Sequence, residues 1–499
     1  MNEFEQKPGR SDPRRFTAMV LITAATAIAL GHCLRQPTQM GANDISRWCT
    51  VWSLLERGTY VIDECPWQID TQDKILHETK EASGASGGQG PVKHFYSSKP
   101  ALLPTLIAGI LYPARVVTGV PLDRVVLEQR AERWTQKPDP DSPYKVKGVL
   151  ETPKEPVKWP VYIFYFKPIL VLLNVIPFGV FLVLFARVLD RYAANDWTWI
   201  FCLVAVAFGT YLLPFTQTLN NHTIAAFSAF FALYQFVRIW DGGDLSGWRF
   251  AVAGFCAAFT AANELPALAF LVLLFCLLCV RYPRKTLLYF IPAAAVPVAG
   301  FVVAQYAVFG EFKLAYESFG SDEYFWEGSL WKTPLDLDAL NVHPEPYATY
   351  LFHMTLGHHG VFSLTPIFLF SALGALRLLG GGGRLLTVLR RGGAPMAAVA
   401  WLTTMLTMIV LAFYTWNPKA RNYGGSTQGL RWLFWLIPFW LLLLPKGVEG
   451  GQTRGWVRGL ALLALGLSVL SAGYAMRNPW SHPWILDALE HLDLYPLTR

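Results

Sequence analysis

Long apolar runs recur along the chain, most of them close to the roughly 20 residues needed to cross a bilayer as a helix. The first covers about residues 16–34. Arg14 and Arg15 precede it, and no cleavage pattern follows, so it reads as a retained signal anchor behind a cytoplasmic N-terminus of about residues 1–15. Further runs fall at about 161–186, 197–216, 223–239, 250–264, 266–280, 287–308, 360–376, 396–414, 430–445 and 457–474. A polar region of about residues 35–160 separates the first run from the rest. One apolar stretch, 101–117, interrupts it, broken by Pro104 and Pro113. A second polar stretch spans about 309–359.

Loop charge orients these runs. If 101–117 does not cross, then Arg187/Arg191, Arg238/Arg249, Arg281/Arg284/Lys285, Arg377/Arg384/Arg390/Arg391 and Lys446/Arg454/Arg458 all fall on the side of Arg14 and Arg15. The short turns near Asn220 and Asn263 then fall outside and carry no Lys or Arg. The positive-inside rule therefore favours eleven spans, with 101–117 a re-entrant or surface helix. The expected organisation is a first span, a long outer loop (35–160), spans 2–7 (161–308), a large outer loop (309–359), spans 8–11 (360–474) and an outer tail (475–499). The lysines and arginines of 119–158 do not disturb this, because long loops translocate largely regardless of charge.

Composition agrees: 53% of the 499 residues are hydrophobic and 15% charged, against about 25% charged in a soluble domain. The net charge of +7 comes largely from short basic loops and implies no nucleic-acid partner. Neither a phosphate-binding GxxxxGK[ST] loop nor a dinucleotide glycine pattern occurs. The seven cysteines show no CxxC pair and no zinc spacing. Cys33, Cys49 and Cys65 fall at or beyond the outer face, where a disulfide is permitted but not specified.

Candidate chemistry gathers in the outer segments. Asp44 follows the first span by about ten residues. Ile45, Trp48, Trp52 and Leu55 recur behind it at helical spacing, and Gly58 would end that helix. Asp44 is thus either a helix cap or a carboxylate facing a membrane-level cavity. Lys99-Pro100 opens the proline-punctuated run. Pro100 suits a first helical turn, which would place Lys99 at a helix start suited to an anion. A snorkelling lysine is the structural alternative.

The stretches Asn43–Asp63 (NDISRWCTVWSLLERGTYVID) and His94–Leu106 (HFYSSKPALLPTL) resemble the first outer loop of GT-C glycosyltransferases. The likeness is to the protein O-mannosyltransferase and lipid A aminoarabinose transferase (glycosyltransferase family 39-like) branch. The resemblance implies a GT-C-like, all-α polytopic membrane fold with about eleven transmembrane helices and surface helices in a long first outer loop. It implies that Asp44 is the catalytic carboxylate and that Lys99 binds the phosphate of a lipid-linked sugar. Two positions depart from the pattern. Ile45 stands where many relatives carry a second acidic residue, and Asn220-Asn221-His222 stands where many carry an acidic residue in the second outer loop. The second departure weighs against metal binding there and leaves His222 as a hydrogen-bonding or acid–base group.

Asn221 and His222 are candidate substrate-binding residues, with helix capping by Asn220 or Asn221 as the alternative. Glu264 puts a carboxylate between two apolar runs, where ionisable groups are costly and usually functional. The glycine-rich stretch Asn422–Arg431 would allow close backbone approach to a ligand, and Arg431 offers a fork for phosphate. In the 309–359 loop, Glu317, Asp322, Glu323, Tyr324, Phe325, Trp326, Trp331 and Tyr347 suit either sugar rings or an interfacial belt. His358-His359 invites a metal reading, but adjacent histidines do not share a helix face. The expectation is an inner-membrane hexosyl- or pentosyltransferase with its site on the periplasmic side. It would use a polyprenyl-phosphate sugar donor from the membrane lipid and an acceptor the sequence does not name. No cofactor is certain, and a divalent metal stays open. The competing reading is a transporter or flippase for a lipid-linked or anionic solute; a third is an anchor without chemistry.

Overall fold

The computed structural model describes residues 12–35, 40–79, 92–129, 133–138, 146–151, 157–160, 162–314, 321–329, 346–380, 394–416 and 423–494. Expectations placed on Glu317, Trp331, Arg384, Arg390, Arg391 and Asn422 lie outside these residues.

The chain is a largely helical, multi-pass membrane protein. Among the described residues, eight helices are long and apolar enough to cross a bilayer. In the labels used below they are α1 (Asp12–Arg35), α4 (Tyr162–Tyr192), α5 (Asp196–Phe215), α6 (Asn221–Trp240), α9 (Pro283–Phe309), α12 (Pro395–Trp416), α13 (Arg431–Gln452) and α14 (Gly455–Ala475). Three other runs read as spans form shorter helices: α7 (Gly247–Asn263), α8 (Leu265–Arg281) and α11 (Ile367–Gly380). Helices α7 and α8 are separate, divided by the turn at Glu264. A short helix, α10 (Tyr347–Thr355), precedes α11.

The region between α1 and α4 carries α2 (Ala42–Glu56) and α3 (Leu102–Thr118). It also holds strands that hydrophobic pattern alone does not announce. Strand β1 (Lys74–Thr79) pairs antiparallel with β2 (Val92–Ser97), with Lys74 opposite Ser97 and His77 opposite His94. Strand β3 (Val125–Gln129) pairs with β6 (Val157–Pro160), and β4 (Arg133–Pro138) with β5 (Val146–Glu151). The amphipathic α2 turns Trp48 and Trp52 inward, and both are fully or almost fully buried. Glu56, at its end, ties α2 to α3 through Arg115 at 2.7 and 2.8 Å.

Side-chain caps start two spans. Asn195 Oδ1 accepts from the Thr198 amide at 2.9 Å, and Asn220 Oδ1 from the Thr223 amide at 2.8 Å. Helices α11 and α13 approach closely because small residues meet at their crossing: a Cβ on Gly374 would overlap Leu443 O, and one on Gly447 would overlap Phe370 O. Packing of this kind lets helices associate where lipid offers no hydrophobic gain.

The two ends of the bundle differ in charge. At one end Arg14 Nε donates to Asp196 Oδ1 at 2.6 Å, and Arg191 pairs with Asp241. The start of α1, the ends of α4 and α6, and the starts of α5 and α7 therefore lie together. The opposite end gathers α2, the 216–223 turn, the Glu264 turn, the 423–431 loop and the tail after α14.

Candidate functional site

A buried polar cluster forms where these segments converge. Asp44 has no exposed surface. It is not the cap residue itself: Gly41 holds that position, and Asp44, three residues on, accepts the Gly41 amide on Oδ2 at 3.1 Å. Trp480, 436 residues away, donates its indole N–H to the same oxygen at 3.1 Å. The other oxygen, Oδ1, is buried and has no hydrogen-bond partner of good geometry among the described residues, although the Leu219 amide faces the carboxylate. Burial raises the Asp44 pKa to about 6, against the pull of Arg47, the Trp480 indole and the backbone amides.

Arg47 lies one turn further along α2 and is 2% exposed. Its Nη2 donates to Asn221 Oδ1 at 2.5 Å, and its Nη1 to Asn43 Oδ1 at 3.3 Å. Burial lowers its pKa to about 10, opposed by Asp44, Asp73 and Glu264. Asn221 passes the network on: its Nδ2 donates to Glu264 Oε1 at 2.7 Å and to Asn263 O at 2.9 Å. Glu264 Oε1 also pairs with His222 Nδ1. Both members of that pair are almost fully buried.

The turn that presents Asn221 and His222 is set by a residue deep in α4. Val171–Val175 of α4 form a π-helical turn. Within it Asn174 donates to Thr216 O at 3.1 Å and Thr218 O at 2.8 Å, and accepts from Thr223 Oγ1 at 3.0 Å. Asn220 is thereby spent on capping, which leaves Asn221 to bridge α2 to the Glu264 turn.

A second arm holds the cations. Helix α3 starts at Leu102, so Pro100 precedes it and Lys99 is not in its first turn, contrary to the reading of Lys99-Pro100 as a helix start. Lys99 Nζ lies 3.0 Å from Asp73 Oδ2. Burial lowers the Lys99 pKa; Asp73 opposes this, and the positive charges of Arg47 and Arg431 add to it. Asp73 therefore sits among three cations. Arg431 rests on Trp480, 5.2 Å from the ring centre, and its Nε is buried with no hydrogen-bond partner among the described residues. The 423–431 loop is bolted to the tail by Gln428, whose Nε2 donates to Ser481 Oγ at 2.6 Å and His482 O at 2.7 Å. Gly424 (φ +98°) allows the loop to close over Arg431, since a Cβ there would come within 2.8 Å of it.

All six expected residues, Asp44, Lys99, Asn221, His222, Glu264 and Arg431, thus fall at one end of the bundle in connected networks. Sequence reasoning missed Arg47, Asp73, Asn174 and Trp480. Arg47 was within reach, one helical turn from Asp44 on the same amphipathic helix. Asp73 and Trp480 carry no local signal.

Residues near 323–326 of the 309–359 stretch contact the paired strands β1 and β2. Trp326 packs edge-on against Phe95 at 5.2 Å and lies under Lys74 at 4.5 Å, while Glu323 accepts from Lys313 at 2.5 Å and pairs with His77 at 2.5 Å. They brace the β1–β2 hairpin. His358 and His359 meet through their Nδ1 atoms at 2.5 Å, and His359 stacks on Tyr423 with ring centres 4.6 Å apart. Burial pushes the His358 pKa down to about 3 and lowers that of His359. The pair supports the loop that carries Arg431. No group of three or more His, Cys, Asp or Glu among the described residues is arranged to hold a metal ion.

No protein-family model and no curated protein matches the chain. Among solved structures it is similar to the Archaeoglobus fulgidus oligosaccharyltransferase in the apo form, at 12% identity and TM-score 0.42, over 98% of this chain and 61% of that one. The archaeal oligosaccharyltransferase AglB in complex with an inhibitory peptide and a dolichol-phosphate gives 12% identity and TM-score 0.42, over 98% and 59%. The A. fulgidus enzyme tethered with an acceptor peptide gives 12% identity and TM-score 0.45, over 97% and 59%. The chain spans less than two thirds of the length of these structures.

Proposed function

We propose that this protein is a membrane glycosyltransferase of the GT-C type, moving a sugar from a polyprenyl-phosphate donor to an acceptor hydroxyl on the periplasmic side of the inner membrane. One observation carries the reading. Two buried, oppositely charged groups contact one indole, and each keeps a polar atom without a hydrogen-bond partner among the described residues: Asp44, bonded to the Trp480 N–H through Oδ2 and unpartnered at Oδ1, and Arg431, resting on the Trp480 ring and unpartnered at Nε. A buried polar atom without a partner is costly, and the hydroxyl of an acceptor at Asp44 with the phosphate of a donor at Arg431 would satisfy the two.

In this reading Asp44 Oδ1 accepts the acceptor's O–H proton. The acceptor oxygen forms a bond to the anomeric carbon as the bond from that carbon to the phosphate oxygen breaks. The electron pair leaves with polyprenyl phosphate, whose charge Lys99 and Arg431 stabilise. A pKa of about 6 for Asp44 suits a base working near neutrality. A single displacement inverts the anomeric configuration. Because Asp44 has no exposed surface, the acceptor must displace part of its cover, and Trp480, with Arg431 resting on its ring, is a part bonded to it. Arg47, Asn221, Glu264 and His222 hold Asp44 and the second turn in register and do not themselves need to touch the sugar.

The transporter reading finds less support. Transporters place ionisable groups near the midplane between repeats, whereas this network gathers at one end of the bundle. Lys167, buried in α4, is bonded to Cys33 O at 2.7 Å at the end of α1, near the same face. The test is transfer of label from polyprenyl-phosphate sugars to a membrane extract by purified protein, with Asp44→Asn alongside. Label on an acceptor with the native protein alone supports the reading. Passage of lipid-linked sugar across proteoliposomes without any transfer would replace it with the flippase.

A further inference from the structure

The opposite end of the bundle carries a second site. Four arginines, Arg187 and Arg191 of α4, Arg238 of α6 and Arg249 of α7, line a cavity of about 350 Å³ together with Asp241. Two of them are neutralised locally: Arg191 pairs with Asp241, and Arg249 Nε lies 2.5 Å from Asp244 Oδ2. Arg187 and Arg238 have no hydrogen bond or ion pair among the described residues. The cavity therefore holds an excess of positive charge.

It adjoins an apolar groove at Arg187. Val171, Val175, Ile176, Gly179, Val180, Val183 and Leu184 form one stripe of α4, which with Thr26 and Leu30 of α1 encloses a recess of about 600 Å³ ending at the same Arg187. Gly179 makes the recess, since a side chain there would reach Thr26. From Val171 to Arg187 the helix rises about 24 Å, more than the roughly 15 Å of one hydrocarbon leaflet. Val180 and Val183 remain 43% and 40% exposed along it.

We infer that this is a binding site for an anionic phospholipid of the leaflet at the basic end, its acyl chain in the α1–α4 groove and its phosphate between Arg187 and Arg238. Charge complementarity selects the occupant: an apolar groove alone would take any lipid tail, but two uncompensated guanidiniums at its mouth select a phosphate without a cationic headgroup. Basic pockets between transmembrane helices act in this way. The site is independent of the transfer reaction proposed for the other end.

The test is native mass spectrometry of the full-length protein in neutral detergent, titrated with phosphatidylglycerol and, separately, phosphatidylcholine. Phosphatidylglycerol should bind with clear preference. Arg187→Gln/Arg238→Gln should weaken it about tenfold to thirtyfold, Arg187→Lys should retain it, and Gly179→Leu, which fills the groove without touching charge, should weaken it too. Arg284→Gln, an exposed arginine at the same end, should change nothing. Thermal melting identifies any variant that fails to fold, and Gly179→Leu and the double variant serve as independent checks. Equal binding of the two lipids, full retention in the folded double variant, displacement by soluble glycerol phosphate at equal concentration, or preference for polyprenyl phosphate would each overturn the assignment.

Discussion

Asp44→Asn separates stability from chemistry, and the structure sets both magnitudes. The carboxylate is fully buried and its pKa rises from 3.8 to about 6, a shift that already includes the attraction of Arg47. Two units at 1.36 kcal/mol each make the ionised form about 3 kcal/mol harder to fold. The folded carboxyl holds its proton more tightly than the unfolded one. Its contribution to stability is thus fully present below pH 3.8 and lost as pH rises through about 6. Asparagine removes the charge and keeps an oxygen for the Gly41 and Trp480 donors. Its amide group would face the Leu219 N–H, which costs roughly 1 kcal/mol. The variant should therefore be more stable than the native protein at pH 8 by about 2 kcal/mol, and the difference should vanish near pH 4. Transfer should fall by roughly 10²–10⁴-fold, the range for loss of a general base. Thermal melting in detergent at pH 8, 6 and 4, paired with the transfer assay, reads both. An active variant would refute the role of Asp44 as base. A variant that is inactive and also destabilised at pH 8 would refute the burial argument and leave Asp44 as a structural partner of the Gly41 amide.

The transfer rate should fall about tenfold per unit below pH 6, as Asp44 takes up its proton, and its alkaline limb should lie below the usual lysine range because burial destabilises the Lys99 ammonium; a pH–rate profile checks both. Asp73→Asn should lower the KM for donor with kcat nearly intact, because Asp73 occupies the charge of Lys99 that a phosphate would use; a kcat loss of about 100-fold would instead make Asp73 part of the chemistry. Arg47→Lys, unable to reach Asn43 and Asn221 together, should cost about 10- to 100-fold in kcat/KM, the value of a charged hydrogen bond. Gly447→Ala should destabilise the bundle by about 1–3 kcal/mol by forcing α11 off α13, measurable as a lower melting temperature, while activity per folded molecule stays unchanged.

What the sequence determined by itself is the set of helices and the side on which their polar ends gather. The apolar runs at 16–34, 161–186, 197–216 and 223–239 become α1, α4, α5 and α6, because crossing a bilayer is a local property of about twenty residues. The Ile45, Trp48 and Trp52 spacing likewise produced a real amphipathic helix. The strands between residues 125 and 160 were not legible, since no strong alternation announces them, and β3 with β6 joins segments some thirty residues apart. The role of Asp44 also needed the fold. As a lone Asp before an amphipathic helix it reads as a cap, and only the position of Gly41 showed that the cap lies three residues earlier. Its second partner, Trp480, is 436 residues distant, and Asp73 is an ordinary loop aspartate until Lys99, Arg47 and Arg431 surround it. Transmembrane segments follow from transfer free energy summed along the chain. A site is made of charges whose meaning depends on burial and on neighbours brought in from other helices, and that only the tertiary structure decides.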